Sequence, residues 1–248
     1  MGKGSNTTLS MINSKHALLV AHGQPSDPNP AEDDLAEIAN QIQTNVPEVT
    51  VHSATLASCG YLETVLDRLP ASTPIYPLFT SDGWFVTTAL PRRLGSRVNP
   101  IMPPIGIDPD LPQAVAQHLR DALSARGWQA RDTELVVAAH GSGRSLNPAI
   151  AAQRFADALQ SLAGFARINV GYVEQAPSIA DAARHCGNQV LCLPFFACAG
   201  GHVQDDIPLA LTEASFQGDT LPVLGYIPSV TSLIARRISE YSDTAAGD

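Results

Sequence analysis

The feature of this sequence that most constrains its fold is an internal repeat. Ala17–Gly23 reads Ala-Leu-Leu-Val-Ala-His-Gly and Leu135–Gly141 reads Leu-Val-Val-Ala-Ala-His-Gly, so that two histidines, His22 and His140, lie 118 positions apart. Three more pairs keep this offset to within one position: Pro77 and Pro194, Pro91 and Pro208, Gly106 and Gly225. Repetition over half the chain predicts two copies of one structural unit.

Each copy alternates short apolar runs with longer amphipathic stretches, which is typical of β-α units around a parallel sheet. Strands are predicted near 17–21, 49–56, 73–79 and 98–101 in the first copy, and near 134–139, 167–173, 188–196 and 220–224 in the second. Helices of the second copy are predicted near 148–163, 178–186, 202–216 and 229–241, with Asn147 capping the first of them before Pro148.

The predicted fold is therefore α/β, with two duplicated, doubly wound parallel-sheet domains that face a central cleft. The domains are expected to span residues 15–127 and 128–248, joined near 126–133. Residues 1–14 are polar and are interpreted as a disordered leader, without the apolar stretch of a secretory signal.

Composition excludes several classes of function. The net charge is −9 with only two lysines, so there is no basic stripe for a nucleic acid. No apolar run reaches the roughly 18 residues of a membrane span, and with no secretory signal this predicts a cytoplasmic protein. The sequence leaves both a monomer and a homodimer open. Gly2–Ser5 does not match a Walker loop, so no nucleotide is expected.

Three residues that can bind a metal follow successive predicted strands of the second copy: His140, Glu174 and His202. Ligands of open parallel sheets bind beyond the carboxyl ends of the strands. If the first strand lies between the other two, these side chains meet, because neighbouring strands are about 4.8 Å apart. Two imidazoles and a carboxylate suit Co²⁺, Fe²⁺, Ni²⁺ or Zn²⁺, and three protein ligands leave coordination positions open.

Each of the three residues also has an ordinary structural explanation. His140 could cap a turn, Glu174 could be a solvated loop residue, and Gly200 and Gly201 before His202 could simply permit a tight turn. As a functional set, they are compatible with a non-catalytic carrier of divalent metal or with a metallohydrolase that activates water.

Three motifs resemble the sirohydrochlorin chelatases of the CbiX and SirB type. They are Ala-Ala-His-Gly-Ser-Gly at 138–143, Gly-Tyr-Val-Glu-Gln-Ala-Pro-Ser at 171–178, and Leu-Pro-Phe-Phe-Ala-Cys-Ala-Gly-Gly-His-Val-Gln-Asp-Asp-Ile-Pro at 193–208. The resemblance implies a lyase that inserts Co²⁺ or Fe²⁺ into sirohydrochlorin without ATP, for cobalamin or sirohaem. It also implies that His140, Glu174 and His202 are the metal-handling and catalytic residues.

The first copy departs from this pattern, since Phe85 stands in place of His202 and Ala57 in place of Glu174. With His22 alone remaining, this copy is expected to wall the cleft, with Trp84 and Phe85 as its apolar surface. The carboxylates of such a substrate call for arginines at the rim. The candidate substrate contacts are Ser142, Arg144, Arg92, Arg93 and His22, although His22 is interpreted first as a turn residue. Asp205 and Asp206 are candidates for orienting His202, or are acids that favour the first turn of a helix.

Overall fold

The computed structural model describes residues 15–244, which contain two parallel sheets. The first sheet has the strand order β2-β1-β3 and the second the order β5-β4-β6-β7. The strands are β1 Lys15–Ala21, β2 Val49–Thr55, β3 Ile75–Pro77, β4 Glu134–Ala139, β5 Arg167–Tyr172, β6 Val190–Phe195 and β7 Asp219–Thr220. The strands β1 and β4 are central and are buried on both faces, which is why their sequences are continuous apolar runs.

Helices cover both faces of each sheet. Four long helices are α1 Pro28–Asn45, α4 Leu111–Arg126, α5 Asn147–Ala163 and α8 Pro228–Thr244. Four short ones are α2 Tyr61–Leu66, α3 Leu90–Leu94, α6 Ile179–Ala183 and α7 Ile207–Glu213. The long helices share one apolar core with Leu19 of β1 and Val137 of β4. The alternate residues Leu18 and Val136 face two separate outer clusters, each with two of the short helices. The two copies are thus joined through a common core.

The repeat is visible in the local backbone. A π-helical turn follows the third strand of each sheet, at Phe85–Ala89 and at His202–Asp206. Each leads directly into a short α-helix, α3 and α7 respectively. The predicted α/β fold with two duplicated parallel sheets is confirmed, whereas the exact domain boundary at residues 127 and 128 stays a prediction.

Several predicted elements differ from the structure. Residues 98–101 form no strand, and only an isolated bridge links Ile101 to Ile75. The strand predicted over 220–224 is reduced to β7, and the helix predicted over 202–216 is divided into a π-helical turn and α7. Asn147 is the first residue of α5 rather than its cap, because Leu146 occupies the cap position. Periodicity alone does not distinguish an apolar run that pairs from one that only packs.

The predicted helix start at Ser178 is confirmed. Its side chain accepts a hydrogen bond from the backbone N–H of Asp181, whose carboxylate accepts one from the N–H of Ser178. The predicted leader, residues 1–14, lies outside the described residues. Between residues 15 and 244, no helix has both the length and the apolar character needed to cross a bilayer.

Candidate metal centre

The strand order of the second sheet brings the three candidate ligands to one point. β4 lies between β5 and β6, so His140 is flanked by the residues that follow its two neighbours. The backbone pairing of β4 and β5 continues past the strand ends, where the N–H of Glu174 donates to the carbonyl of His140 over 3.0 Å. This bond places Glu174 directly beside His140.

The three side chains form a compact set of possible ligands. One ligand atom from each of His140, Glu174 and His202 lies within 4.8 Å of the other two. The two imidazole rings are perpendicular, with an interplanar angle of 86° and centroids 4.6 Å apart. His140 Nδ1 is 3.8 Å from Glu174 Oε2, and the three side chains are between 39% and 48% exposed. The set therefore remains open to a substrate from solvent.

Local hydrogen bonds decide which nitrogen each imidazole presents. The Nδ1 of His140 lies 2.9 Å from the carbonyl oxygen of Gly141, and the Nδ1 of His202 lies 2.6 Å from a carboxylate oxygen of Asp206. Both partners only accept hydrogen bonds, so each Nδ1 carries the proton and donates it. Each Nε2 then keeps its lone pair, which is the form in which imidazole binds a metal.

Gly141 allows the chain to turn directly after His140. Its φ is +69°, and an added Cβ would lie 2.8 Å from Gln175 Cγ and 2.9 Å from Tyr172 Cβ. The Gln175 side chain accepts a hydrogen bond from the N–H of Ser142, which ties this turn to the loop that carries Glu174. Sequence reasoning missed the role of Gln175, although it stands next to Glu174 within a motif.

Of the two aspartates considered as partners of His202, the structure brings only Asp206 into contact with it. Asp206 lies one helical turn after His202, on the same face of the π-helical turn. Asp205 is exposed, and its side chain forms no hydrogen bond or ion pair within residues 15–244. An acid beside a ligating imidazole orients the ring and raises its basicity.

The equivalent position in the first copy has the same backbone but other side chains. The N–H of Ala57 donates to the carbonyl of His22 over 2.9 Å, as Glu174 does to His140. The Phe85 ring packs edge-on against His22 with centroids 4.3 Å apart, in the place that His202 takes beside His140. Burial lowers the pKa of His22, the hydrogen bond to Gly23 opposes this, and the charge of His140 lowers it further. The net result is a pKa of His22 below its ordinary value, which favours the neutral imidazole.

Beside His22 lies an open cavity of about 430 Å³. Its lining includes Trp84, which is 58% exposed, together with Phe85, Arg92 and Arg93. Arg93 is held by Glu63 through two hydrogen bonds of 2.5 and 2.8 Å, and it also donates to the carbonyl of Leu56. That guanidinium is largely occupied within the first copy.

Arg92 and Arg144 are different, because both are exposed. In the part of the chain that the structure describes, neither guanidinium forms an ion pair or a hydrogen bond. The backbone N–H of Arg144 donates to Ser142 Oγ over 3.1 Å, which holds the loop and leaves the side chain available. These two arginines are the cations of the predicted set that could bind an anionic ligand.

Comparison with known proteins agrees with the repeat and with the motifs. The family model described as CbiX matches residues 16–122 and again residues 134–241. A protein of Halobacterium salinarum named as a probable sirohydrochlorin cobaltochelatase is 23% identical over 163 residues, which are 54% of this chain. The chain spans 55% of the length of that relative.

Solved structures give the same result over a longer part of the chain. One, described as CbiX, the terminal enzyme for biosynthesis of siroheme in denitrifying bacteria, is 44% identical and has a TM-score of 0.82. The match covers 91% of this chain and 99% of that one. SirB from Bacillus subtilis with Fe³⁺ shares the fold, with 14% identity, a TM-score of 0.71, and 94% and 98% of the two chains covered.

Proposed function

The chain belongs to the CbiX family, and from this premise we propose that it inserts a divalent metal ion into sirohydrochlorin without ATP. The observation that carries the proposal is the convergence of His140, Glu174 and His202 within 4.8 Å, on side chains that remain accessible. A chelatase needs such an incomplete and open set, because the metal must leave it for the macrocycle.

For the metal, we propose Fe²⁺ as the preferred ion and Co²⁺ as an alternative substrate. The relative that is 44% identical over 91% of this chain is described as the terminal enzyme of siroheme biosynthesis, and the product it names contains iron. The relative named as a cobaltochelatase is 23% identical over 54% of the chain. Two imidazoles and a carboxylate accept both ions, so the ligand set itself supports either choice.

In the proposed mechanism, the Nε2 atoms of His140 and His202 and the carboxylate of Glu174 hold the incoming metal. As pyrrole nitrogens replace these ligands, each freed Nε2 lone pair becomes available to accept a proton. Two pyrrole N–H groups must lose their protons when the metal enters the ring. The side chains that release the metal can therefore act as the general bases, at the point where the protons appear.

The substrate is proposed to bind between the two copies, with the first copy as its wall. Trp84 and Phe85 offer an apolar surface beside His22, and the exposed Arg92 and Arg144 can each bind a carboxylate. Ser142 holds the loop of Arg144 through its hydroxyl. Arg93 supports this wall through Glu63 rather than contacting the substrate itself.

The test follows the visible spectrum of sirohydrochlorin with Fe²⁺ under anaerobic conditions and with Co²⁺. Wild-type protein should accelerate the spectral change at least about 10-fold over the uncatalysed reaction, since positioning of the metal alone supplies such a factor. His202→Ala should lose the acceleration because one imidazole cannot hold the metal in place.

His185→Asn serves as the control, since His185 is exposed and its φ of 68° is one that asparagine also adopts. That variant should retain the wild-type rate. Tight metal binding without acceleration for either ion would contradict the chelatase proposal and support a non-catalytic metal carrier.

A further inference from the structure

The loop that carries His202 is contacted by a helix of the other copy. This loop, residues 196–201, leads from β6 to the π-helical turn that begins at His202. Asp34 of α1 accepts a hydrogen bond from the backbone N–H of Ala199 over 3.3 Å, across 165 positions of sequence. Its other carboxylate oxygen accepts a short hydrogen bond from the hydroxyl of Tyr226.

Tyr226 belongs to a second segment that is bonded to the same loop. It ends the 3₁₀ turn Leu224–Tyr226, whose residues Leu224 and Gly225 donate backbone hydrogen bonds to the carbonyls of Phe196 and Ala197 over 2.9 and 3.0 Å. One turn further along α1, Ile38 packs against Gly225, where an added Cβ would lie 2.7 Å from Ile38 Cδ1. The helix α1 therefore holds both the loop and the turn that supports it.

Tyr226 is the donor in its hydrogen bond with Asp34. Burial, followed by the hydrogen bond to Asp34, raises the pKa of Tyr226 far above its ordinary value, so its hydroxyl remains protonated and donates. Burial also raises the pKa of the neighbouring Cys198 thiol to about 12, with Asp34 contributing in the same direction. The free Cys198 thiol is therefore protonated at pH 7.

The internal repeat provides a comparison within the same molecule. The sequence Asn-Pro-Ala at 29–31 recurs at 147–149, so the counterpart of Asp34 is Ala152, and Gly225-Tyr226 corresponds to Gly106-Ile107. Ala152 is fully buried and Ile107 is 47% exposed, and neither can form the hydrogen bonds described above. From the second copy to the first, the corresponding contact is a hydrogen bond of 3.2 Å that the Asn147 side chain donates to the carbonyl of Asp82. The carboxylate of Asp34 thus contacts the loop that leads to the candidate ligand His202, whereas its counterpart Ala152 has no carboxylate to contact the loop of the first copy.

From these observations we infer that Asp34 is a positioning residue, which fixes the 196–201 loop and so makes the geometry of His202 depend on the first copy. The inference rests on the proposed function of His202 as a metal ligand. It gives the first copy, which lacks two of the three ligands, a role in the metal centre of the second.

The test measures Co²⁺ binding by equilibrium titration and by the visible absorption of bound Co²⁺, whose bands report the coordination geometry. Asp34→Asn retains one acceptor but cannot accept hydrogen bonds from both Ala199 and Tyr226. It should weaken Co²⁺ binding about 5-fold, somewhat less than the 10- to 100-fold loss typical of groups that contact a ligand directly. Tyr226→Phe should also weaken Co²⁺ binding. The double variant should bind Co²⁺ no less tightly than Asp34→Asn alone, because both substitutions disturb one hydrogen-bond network.

The matched control is Asp33→Asn, which removes the same charge from the neighbouring exposed position of α1. It should leave both the affinity and the spectrum unchanged. In the insertion assay, Asp34→Asn should raise the KM for the metal without changing the KM for sirohydrochlorin, a division that general destabilisation would not produce. Thermal unfolding of each variant confirms that the titration is performed on folded protein.

The inference is overturned if Asp34→Asn and Asp33→Asn bind Co²⁺ with equal affinity and equal spectra. That result would leave the chelatase proposal intact, provided that the wild type accelerates insertion. If the wild type accelerates insertion of neither metal but Asp34→Asn still weakens binding and shifts the spectrum, the proposed function fails and the positioning role stands.

Discussion

At the scale of single residues, the candidate centre depends on groups that orient the imidazoles as much as on the imidazoles themselves. Gly141 and Asp206 each accept the Nδ1 proton of one histidine, so both rings present Nε2. His140 donates to a peptide carbonyl and His202 to a carboxylate, and a hydrogen bond to an anionic acceptor is the stronger of the two.

This difference makes a prediction about Asp206. Asp206→Asn should weaken Co²⁺ binding about 10-fold, since the amide no longer supplies the anionic acceptor that orients His202. Asp205→Asn removes the same charge one position earlier, from a side chain that forms no hydrogen bond or ion pair with His202, and should change the affinity less than about 2-fold. The measurement is the Co²⁺ dissociation constant of each variant. Equal effects of the two substitutions would show that only net charge matters.

At the scale of elements, the two copies show how a repeated backbone is adapted to two tasks. The π-helical turns Phe85–Ala89 and His202–Asp206 follow equivalent strands, and the bonds from Ala57 to His22 and from Glu174 to His140 match. The backbone of the first copy is thus already arranged for a metal centre. What it lacks is a carboxylate at 57 and an imidazole at 85.

Restoring those two groups should create a second metal site. The double substitution Ala57→Glu and Phe85→His should raise Co²⁺ stoichiometry from about one to about two per chain, because three ligands suffice for a divalent ion. Ala57→Glu alone leaves only two ligands beside each other and should stay near one. Equilibrium dialysis counts the bound ions. A stoichiometry of one for the double variant would mean that the first copy differs in backbone as well as in side chains.

At the scale of the whole molecule, the copies are joined by a shared core and by an ion-pair network. Arg237 of α8 donates to both carboxylate oxygens of Asp108 over 2.8 and 2.9 Å and to Asp110 over 2.7 Å. The Asp108 side chain is only 8% exposed. Burial raises the pKa of Asp108, but its hydrogen bonds from Arg237 and from the Asp110 N–H outweigh that effect and hold the pKa below its ordinary value. This pair therefore stabilises the fold above that ordinary value, and its contribution is lost as the pH falls through the lowered pKa.

Arg237→Met should lower the free energy of unfolding by about 3 kcal/mol, because it leaves a buried carboxylate without its partner. Arg236→Met is the matched control on the same helix. Arg236 is 53% exposed and its pairs with Asp110 and Glu240 are at the surface, so the loss there should stay below about 1 kcal/mol. Urea unfolding at pH 7 gives both values. Similar losses for the two variants would argue against a special role for the buried pair.

The sequence by itself determined the two-copy α/β architecture and the three candidate ligands. The alternation of strands with helices, and the metal-binding residue types that follow the strands, are local properties of the sequence. Parallel strands then place their carboxyl ends at one edge of a sheet. Only the tertiary structure decided that Glu63 holds Arg93, which nitrogen each imidazole presents, and that Asp34 reaches the His202 loop. Asp34 and Tyr226 are 192 positions apart, and Asp34 and Ala199 are 165 apart. Neither contact leaves a periodic pattern in the sequence, because it forms only when segments far apart in the chain pack together.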